Sequence, residues 1–433
     1  MKKYIFVLWM MCASLSALAQ SNRIDAIRHD APELAYFGDY AIGVRTVQFT
    51  DKNRPDILRT VSGGDSRFYD RKLTVEVWYP AKLANGEQPG GQYTTLTRNP
   101  AIEATLSGSA VRDATPLTGQ GKFPLVIISH GYPGNRYLMS HLGENLASKG
   151  YVLASIEHRD STYDDQKAFS STLYNRPLDQ LFVLDQIAVA AADPGNFLEN
   201  LVDTENVGIV GYSMGGYGLI NNLGAGYSDD VVAHDMAPPN GLLHRHASGN
   251  PNYRANLDSR IKAGFAIAPW GMNTAMWRVD DLHGIRVPTF YLAGSVDNVA
   301  GYETGTRAIF ENAINSDRYL LTFENAGHNA GAPMPLPLEI INSDDKTGAG
   351  HYTDPVWDTL RMNNIMDHFA TAWFDYHLKG IAEKETYLAL IEDPRDGIYS
   401  MEDGQATEQH TYWKGFGKNT AMGLTLEHLQ PAQ

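Results

Sequence analysis

The chain has 433 residues, enough for one large domain or two to three smaller ones. Its 50 Asp and Glu outnumber its 35 Lys and Arg, for a formal net charge of −15, and no basic run breaks that excess. This balance argues against nucleic acid or an anionic membrane as partner and favours neutral substrates. The single cysteine, Cys12, leaves no pair for a disulfide or a thiolate metal site.

The first nineteen residues read as a signal peptide. Lys2 and Lys3 form the charged start, Tyr4 to Met11 the apolar core, and Ala17-Leu18-Ala19 an A-x-A cleavage site before Gln20. The apolar run is too short for a stable membrane anchor. Cleavage there gives a secreted or periplasmic protein without cysteine. The remainder, 20–433, reads as one domain.

Residues 21 to about 40 have no clear period and form an N-terminal arm. Val44 to Phe49 and Leu73 to Tyr79 alternate as antiparallel strands do, with a long connection over Asp51 to Asp70. Residues 80–121 read as a surface excursion with at most one short helix. From Phe123 the pattern becomes strand, helix, strand. Phe123 to Ser129 is a buried strand, Leu138 to Lys149 a helix stopped by Gly150, and Tyr151 to Ile156 a second strand. Pro177 opens a helix over Leu178 to Ala192. This spacing implies right-handed crossovers and a mostly parallel sheet flanked by helices.

Next comes Asn206-Val-Gly-Ile-Val-Gly-Tyr-Ser-Met-Gly-Gly-Tyr-Gly218. An apolar strand runs into Gly211-Tyr212-Ser213-Met214-Gly215, a G-x-S-x-G turn that presents a serine nucleophile, with small residues where strand and helix must pass closely. Residues 223–260 lack a sustained period and read as a cap or lid insertion. Three further strands follow: Phe265 to Ala268, Thr289 to Ala293 and Tyr319 to Phe323. Thr359 to Leu378 is a long amphipathic helix, and about 380–433 is a tail packed on the domain.

Ligands of a parallel sheet sit at the carboxyl ends of its strands. Three such ends carry Ser213, Asp297 and His328, in the chain order nucleophile, acid, histidine that marks the α/β-hydrolase fold. Imidazole takes the serine proton, and the carboxylate fixes the imidazole tautomer and stabilises its cation. Asp160 and Asp317 are rivals for the acid, but one precedes the nucleophile and the other its strand. The oxyanion hole is assigned to the backbone N–H groups of Met214 and Tyr132, the latter in the turn His130-Gly131-Tyr132. Tyr132, Met214 and Trp270 are the candidate substrate-binding side chains. Glu157-His158-Arg159-Asp160 reads as a buried ion-pair network holding the site walls. His244-x-His246, near His234 and Asp235, has metal-ligand residue types, yet two histidines in a polar loop seldom bind metal. No metal and no cofactor is expected.

Several of these stretches also carry a resemblance. Ser129-His130-Gly131, Leu146-Ala-Ser-Lys-Gly150, Ile156-Glu157-His158-Arg159-Asp160 and Gly211 to Gly216 resemble the platelet-activating-factor acetylhydrolases and the bacterial dienelactone-hydrolase-related proteins. The likeness extends from about Gly43 and Thr74-Val-Glu-Val-Trp-Tyr-Pro80 to the helix around Arg361 to His368. Dienelactone hydrolases use a cysteine nucleophile where this chain has Ser213. The acetylhydrolases take their acid after the strand that here reads Ala268-Pro269-Trp270, which moves the acid to Asp297 and leaves their substrate uncarried. Gly131-Tyr132, Ser213-Met214-Gly215-Gly216 and Ala268-Pro269-Trp270 are similar to bacterial cutinases and polyethylene terephthalate hydrolases. The resemblance implies a serine hydrolase of carboxylic esters, carboxylesterase- or lipase-like. Polyester hydrolysis and a phospholipase- or acetylhydrolase-like activity are alternatives, and a non-catalytic binding module stands as the different class.

Overall fold

The computed structural model describes residues 21–234 and 237–432. The segment read as a signal peptide, with Cys12, lies outside the described residues, and so does Asp235.

An eleven-stranded sheet organises the molecule. Its main strands are β1 (Ala41–Pro55), β2 (Phe68–Lys82), β3 (Phe123–Ser129), β4 (Val152–Glu157), β5 (Val202–Tyr212), β6 (Ile261–Ile267), β7 (Thr289–Gly294), β8 (Arg318–Phe323) and β9 (Leu424–Leu429). Across the sheet the order is β9-β8-β7-β6-β5-β3-β4-β2-β1, with short pieces at Val111–Arg112 and Thr115–Pro116 beside β1 and β2. The six strands from β8 to β4 are parallel, and β9, β2 and β1 run antiparallel to their neighbours.

The parallel strands are apolar because helices cover both faces. Every residue of β3 is buried, as the two-sided burial of a parallel sheet requires. On one face Phe265, Phe290 and Tyr319 of β6, β7 and β8 stack, with centroids 4.8 and 6.1 Å apart. The helix α4 (Thr359–His377) lays Phe369 and Trp373 against Phe290. Gly208 of β5 allows that helix close, since a Cβ there would stand 2.5 Å from the Phe374 ring. The helices α1 (Ser140–Ala147), α2 (Phe169–Ala192) and α3 (Met214–Asn222) complete the layers. Among the described residues no helix is long and apolar enough to cross a membrane.

The structure corrects several boundaries. β1 and β2 run beyond the expected alternation, and a bulge between Asp51 and Arg54, with Asn53 at φ 57°, breaks the period while turning Arg54 inward. In place of a surface excursion, 80–121 contributes a small sheet in which Glu103–Gly108 pairs with Gly91–Leu96 and with Asn22–Arg23 of the N-terminal arm. The tail ends in β9, whose Leu424 and Leu426 alternate inward.

Pro177 does not open its helix but sits inside it. Proline lacks the N–H that would bond the Leu173 carbonyl one turn back. That carbonyl instead accepts from the Tyr217 hydroxyl at 3.0 Å and the Tyr227 hydroxyl at 3.4 Å. Two tyrosines thus complete what the proline leaves open, and Phe169 to Arg176 continue as helix toward the site.

The described part of the 223–260 segment folds into short helical turns at Asp229–Val232, Pro239–His246 and Pro251–Ala255. Asn240 bonds Gly63 and Gly64, and Leu242 packs on Ile57, Tyr174 and Leu178. His246 lies tilted against Tyr227 and Tyr253. Among the described residues no group of three or more His, Cys, Asp or Glu is placed to hold a metal ion.

Candidate active site

Strand β5 ends at Tyr212, and the chain reverses into α3 through Ser213 at φ 52°, ψ −113°. A non-glycine residue seldom holds such a conformation, and it persists where the surroundings over-determine it. Here the Ser213 N–H donates to Ile267 and its carbonyl accepts from Tyr217 and Trp270, at 2.9 to 3.1 Å. The flanking glycines are steric necessities. A Cβ on Gly211 would lie 2.4 Å from the Gly215 carbonyl oxygen, and one on Gly215 would lie 1.9 Å from that of Ser129.

Ser213 Oγ lies 2.9 Å from His328 Nε2, and His328 Nδ1 lies 2.8 Å from Asp297 Oδ2. Because a carboxylate only accepts, Nδ1 carries the proton and Nε2 is left free to accept from the serine. The other Asp297 oxygen accepts from the Val299 and Ala300 amides at 2.8 and 3.1 Å, which orients the carboxylate. The structure therefore brings together three residues separated by as many as 115 positions. Asp160 and Asp317 lie elsewhere: Asp160 pairs with Arg71 and Asp317 with His428.

The turn after β3 lies directly over this serine. A Cβ on Gly131 would stand 3.3 Å from the Ser213 Cβ. The next amide is that of Tyr132, which donates no hydrogen bond among the described residues. Met214 is the first residue of α3, where a helical amide has no carbonyl one turn earlier to bond. Both amides assigned to an oxyanion hole are thus unspent, beside the nucleophile.

Beneath this turn lies a second serine, histidine and aspartate in the same connectivity. Ser129 Oγ is 2.8 Å from His158 Nε2, and His158 Nδ1 is 3.0 Å from Asp179 Oδ2. Burial separates the two sets. Ser129 is 0% and His158 1% exposed, whereas Ser213 is 7% exposed and the His328 side chain 13%. No substrate reaches Ser129. Its set belongs to a buried network in which Arg71 grips both Asp179 oxygens at 2.8 Å and reaches Asp160 at 2.8 Å. Burial alone would raise the Asp179 pKa, but the Arg71 guanidinium, the His158 bond and Arg54 hold that carboxyl far below the usual range. Removing one partner of such a pair strands the other's charge. Asp179→Ala is accordingly expected to cost about 3–5 kcal/mol of stability, measured by urea denaturation. A cost under about 1 kcal/mol would mean that the network is not holding the turn.

Arg176, which the sequence reading missed, ties this network to the site. It is buried and donates to the His130 carbonyl and, at 2.6 Å, to Ser161 Oγ. Its position in the helical turns before Pro177 brings it there.

The three candidate substrate side chains share one apolar cluster, with Tyr132 and Trp270 half-buried against a core that includes Met214, but they do not all face the same cavity. Tyr132 lines a cavity of about 820 Å³ together with Ser213, His328, Arg98, Tyr212, Asn329 and the 348–356 segment. Met214 is buried in the core, and neither it nor Trp270 lines this cavity. Tyr132 and Trp270 are bridged by Phe169, edge-on to each at 5.5 and 5.0 Å. Phe169 also went unnoticed in the sequence, for the same reason as Arg176. No described residue of 223–260 lines the cavity, whose wall includes the 348–356 segment. A cavity of about 850 Å³ in the C-terminal segments is lined by none of Ser213, Asp297 or His328.

Comparison with known proteins adds the following. Residues 29–178 match the family model of platelet-activating factor acetylhydrolase, isoform II. The chain is 25% identical over 206 residues to the cutinase est1 of Thermobifida alba, covering 47% of this chain and 53% of that one. It is 28% identical over 271 residues to the platelet-activating factor acetylhydrolase of Bos taurus, covering 58% and 57%. The chain thus spans little more than half the length of these two relatives. A solved ferulic acid esterase from Streptomyces cinnamoneus superposes with a TM-score of 0.54 at 20% identity, covering 83% of this chain and 94% of that one, a likeness of fold.

Proposed function

We propose that this chain, which shares the α/β-hydrolase fold and is similar in sequence to carboxylic ester hydrolases, cleaves carboxylic esters through an acyl-Ser213 intermediate. The observation that carries the reading is the accessible Ser213–His328–Asp297 relay beneath two unspent amides. Ser213 Oγ attacks the ester carbonyl while His328 Nε2 takes its proton. The negative oxygen that forms is received by the Tyr132 and Met214 amides. The alcohol leaves with the proton returned by His328, and a water activated by the same nitrogen releases the acid. Asp297 stabilises the imidazolium in both halves. No step needs a cofactor.

A single domain over 20–433, exported after cleavage at Ala19, is part of the same proposal and rests on the residues of the leader. Polyester cleavage is the favoured second reading. The likeness to a cutinase and the aromatic row Tyr132, Phe169 and Trp270 beside the site support it.

The test is a pre-steady-state assay with p-nitrophenyl esters of rising acyl length, followed by mass mapping of the trapped acyl group. One equivalent of p-nitrophenol per chain should appear in a burst, with the label on the peptide carrying Ser213. Slow release without a burst or label would remove the acyl-enzyme reading and leave the binding-module one.

A further inference from the structure

Among the described residues Arg98 is the only lysine or arginine lining the cavity at Ser213. The chain around it is acidic overall, and neighbouring arginines have partners: Arg71 has Asp179 and Asp160, and Arg136 has Glu76 and Glu157. Among the described residues the Arg98 guanidinium takes part in no ion pair and no hydrogen bond; only its backbone N–H is engaged, donating to the Tyr352 hydroxyl at 2.9 Å. Asp354, the one carboxylate among the described residues lining the same cavity, is already occupied. It accepts the Gly327, Val356 and Trp357 amides at 2.7 to 2.9 Å.

The stem of Arg98 is held. Gly348 lies so close that a Cβ there would stand 2.8 Å from Arg98 Cβ and Cγ. The adjacent Asn99 side chain bonds Asp345 at 2.8 Å, clasping the Arg98 loop to the segment that walls the cavity. The charge also acts on its surroundings. Burial pushes the His351 imidazole down to about 3, and Arg98 adds to that effect. A fixed, half-buried guanidinium with no protein counter-ion, opening on the cavity of the nucleophile, is arranged to receive an anion from outside.

We propose that Arg98 is a specificity-determining residue that binds a carboxylate carried by the substrate away from the scissile bond. The preferred substrates are then half-esters, such as monoesters of dicarboxylic acids. This deepens the ester-hydrolase reading and rests on it. A single guanidinium matches the single charge of a carboxylate, whereas a phosphate dianion would draw on a second cation that the cavity does not line. Arg98 takes no part in the bond changes and acts on substrate affinity, so its effect falls on KM more than on kcat.

The experiment compares esters that differ in one charge. One pair places it on the acyl side (p-nitrophenyl hydrogen adipate against p-nitrophenyl hexanoate), the other on the leaving group (p-acetoxybenzoate against phenyl acetate). In the intact chain at least one pair should show kcat/KM about tenfold higher for the anion, a preference that shrinks in added salt. Arg98→Met should bring that ratio to about one and Arg98→Lys should restore part of it, with melting curves checking the fold of both. A ratio near one in the unaltered chain for both pairs, or a ratio that Arg98→Met leaves unchanged, overturns the proposal. If neither chain releases product from any ester, the hydrolase reading has failed instead. Arg98 is then judged by benzoate binding to Ser213→Ala followed by NMR: loss on adding Arg98→Met supports it, and equal or absent binding overturns it.

Discussion

Alanine at position 213 should lower kcat by about 10⁶-fold, and Asp297→Asn by about 10⁴-fold, with KM for a neutral ester little changed. The first substitution removes the atom that attacks. The second keeps the shape of the acid but lets it donate to His328 Nδ1, which moves the proton to Nε2 and leaves that nitrogen unable to accept from Ser213. Because the three residues act as a unit, the double variant should be no slower than Ser213→Ala alone. The buried set provides the control. Ser129→Ala removes one hydrogen bond to His158, worth about 0.5–1.5 kcal/mol of stability, and leaves the nucleophile in place. Stopped-flow and steady-state measurements on the four chains would separate the cases. Equal losses at Ser129 and Ser213 would show that exposure does not separate the nucleophile from its buried counterpart.

That control bears on what the sequence could reveal. The strand ends were legible because a buried parallel strand leaves an apolar run, and the chemistry follows it at once. Ser213 follows Tyr212, Asp297 comes three residues after Gly294, and His328 five after Phe323. The α4 span was legible by its period. Of the Ser129–His158–Asp179 set only His158 stood out, inside the stretch read as a buried ion-pair network; Ser129 on β3 and Asp179 inside α2 carry nothing local that marks them as its partners.

The wall of the site was hidden for a different reason. Proline reads as a helix start because it removes a hydrogen bond, and the tyrosines that cover for Pro177 lie 40 and 50 positions downstream, at Tyr217 and Tyr227. Losing the first two turns of α2 meant losing Phe169 and Arg176 with them. Likewise, an aperiodic loop gives no sign of what it will cover. The 223–260 and 348–356 segments look alike in composition, and their placement is decided by distant partners such as Asn240 with Gly64 and Arg98 with Tyr352. β9 was missed because six alternating residues near a chain end carry little weight without the β8 edge they complete.

Between pH 6.5 and 4.5 the protein should lose stability steeply, and the loss should come from buried histidines. His130, His158 and His368 are each almost fully buried. Burial holds His158 and His368 down to about 3 and His130 well below its ordinary value, with Arg176 adding to the effect at His130 and His158 and Lys149 at His368. The bonds agree with neutral rings: His368 Nδ1 accepts the Leu34 amide at 3.0 Å, and His130 Nε2 accepts that of His158 at 3.0 Å. Above about pH 6.5 both folded and unfolded chains hold these rings neutral, so they contribute no pH dependence. Below it the unfolded chain binds protons that the folded chain refuses, and stability falls with pH by up to about 1.4 kcal/mol per unit for each histidine. Burial likewise holds His246 and His377 down to about 4 and His351 to about 3, and the six together approach about 8 kcal/mol per unit, which would exhaust an ordinary stability of about 5–15 kcal/mol within about two units. Asp179 acts in the opposite sense of charge and in another window. Its depressed pKa gives stability that is full above about pH 5 and is lost only in stronger acid. Urea denaturation at pH 7.5, 6.0 and 5.0 should therefore show an uptake of about six protons on unfolding at the lowest pH. His368→Asn, which can still accept from Leu34, should remove about one of them. A flat profile would mean that the folded chain accepts imidazolium at these positions, through opening of the core around His368 or the turn around His130.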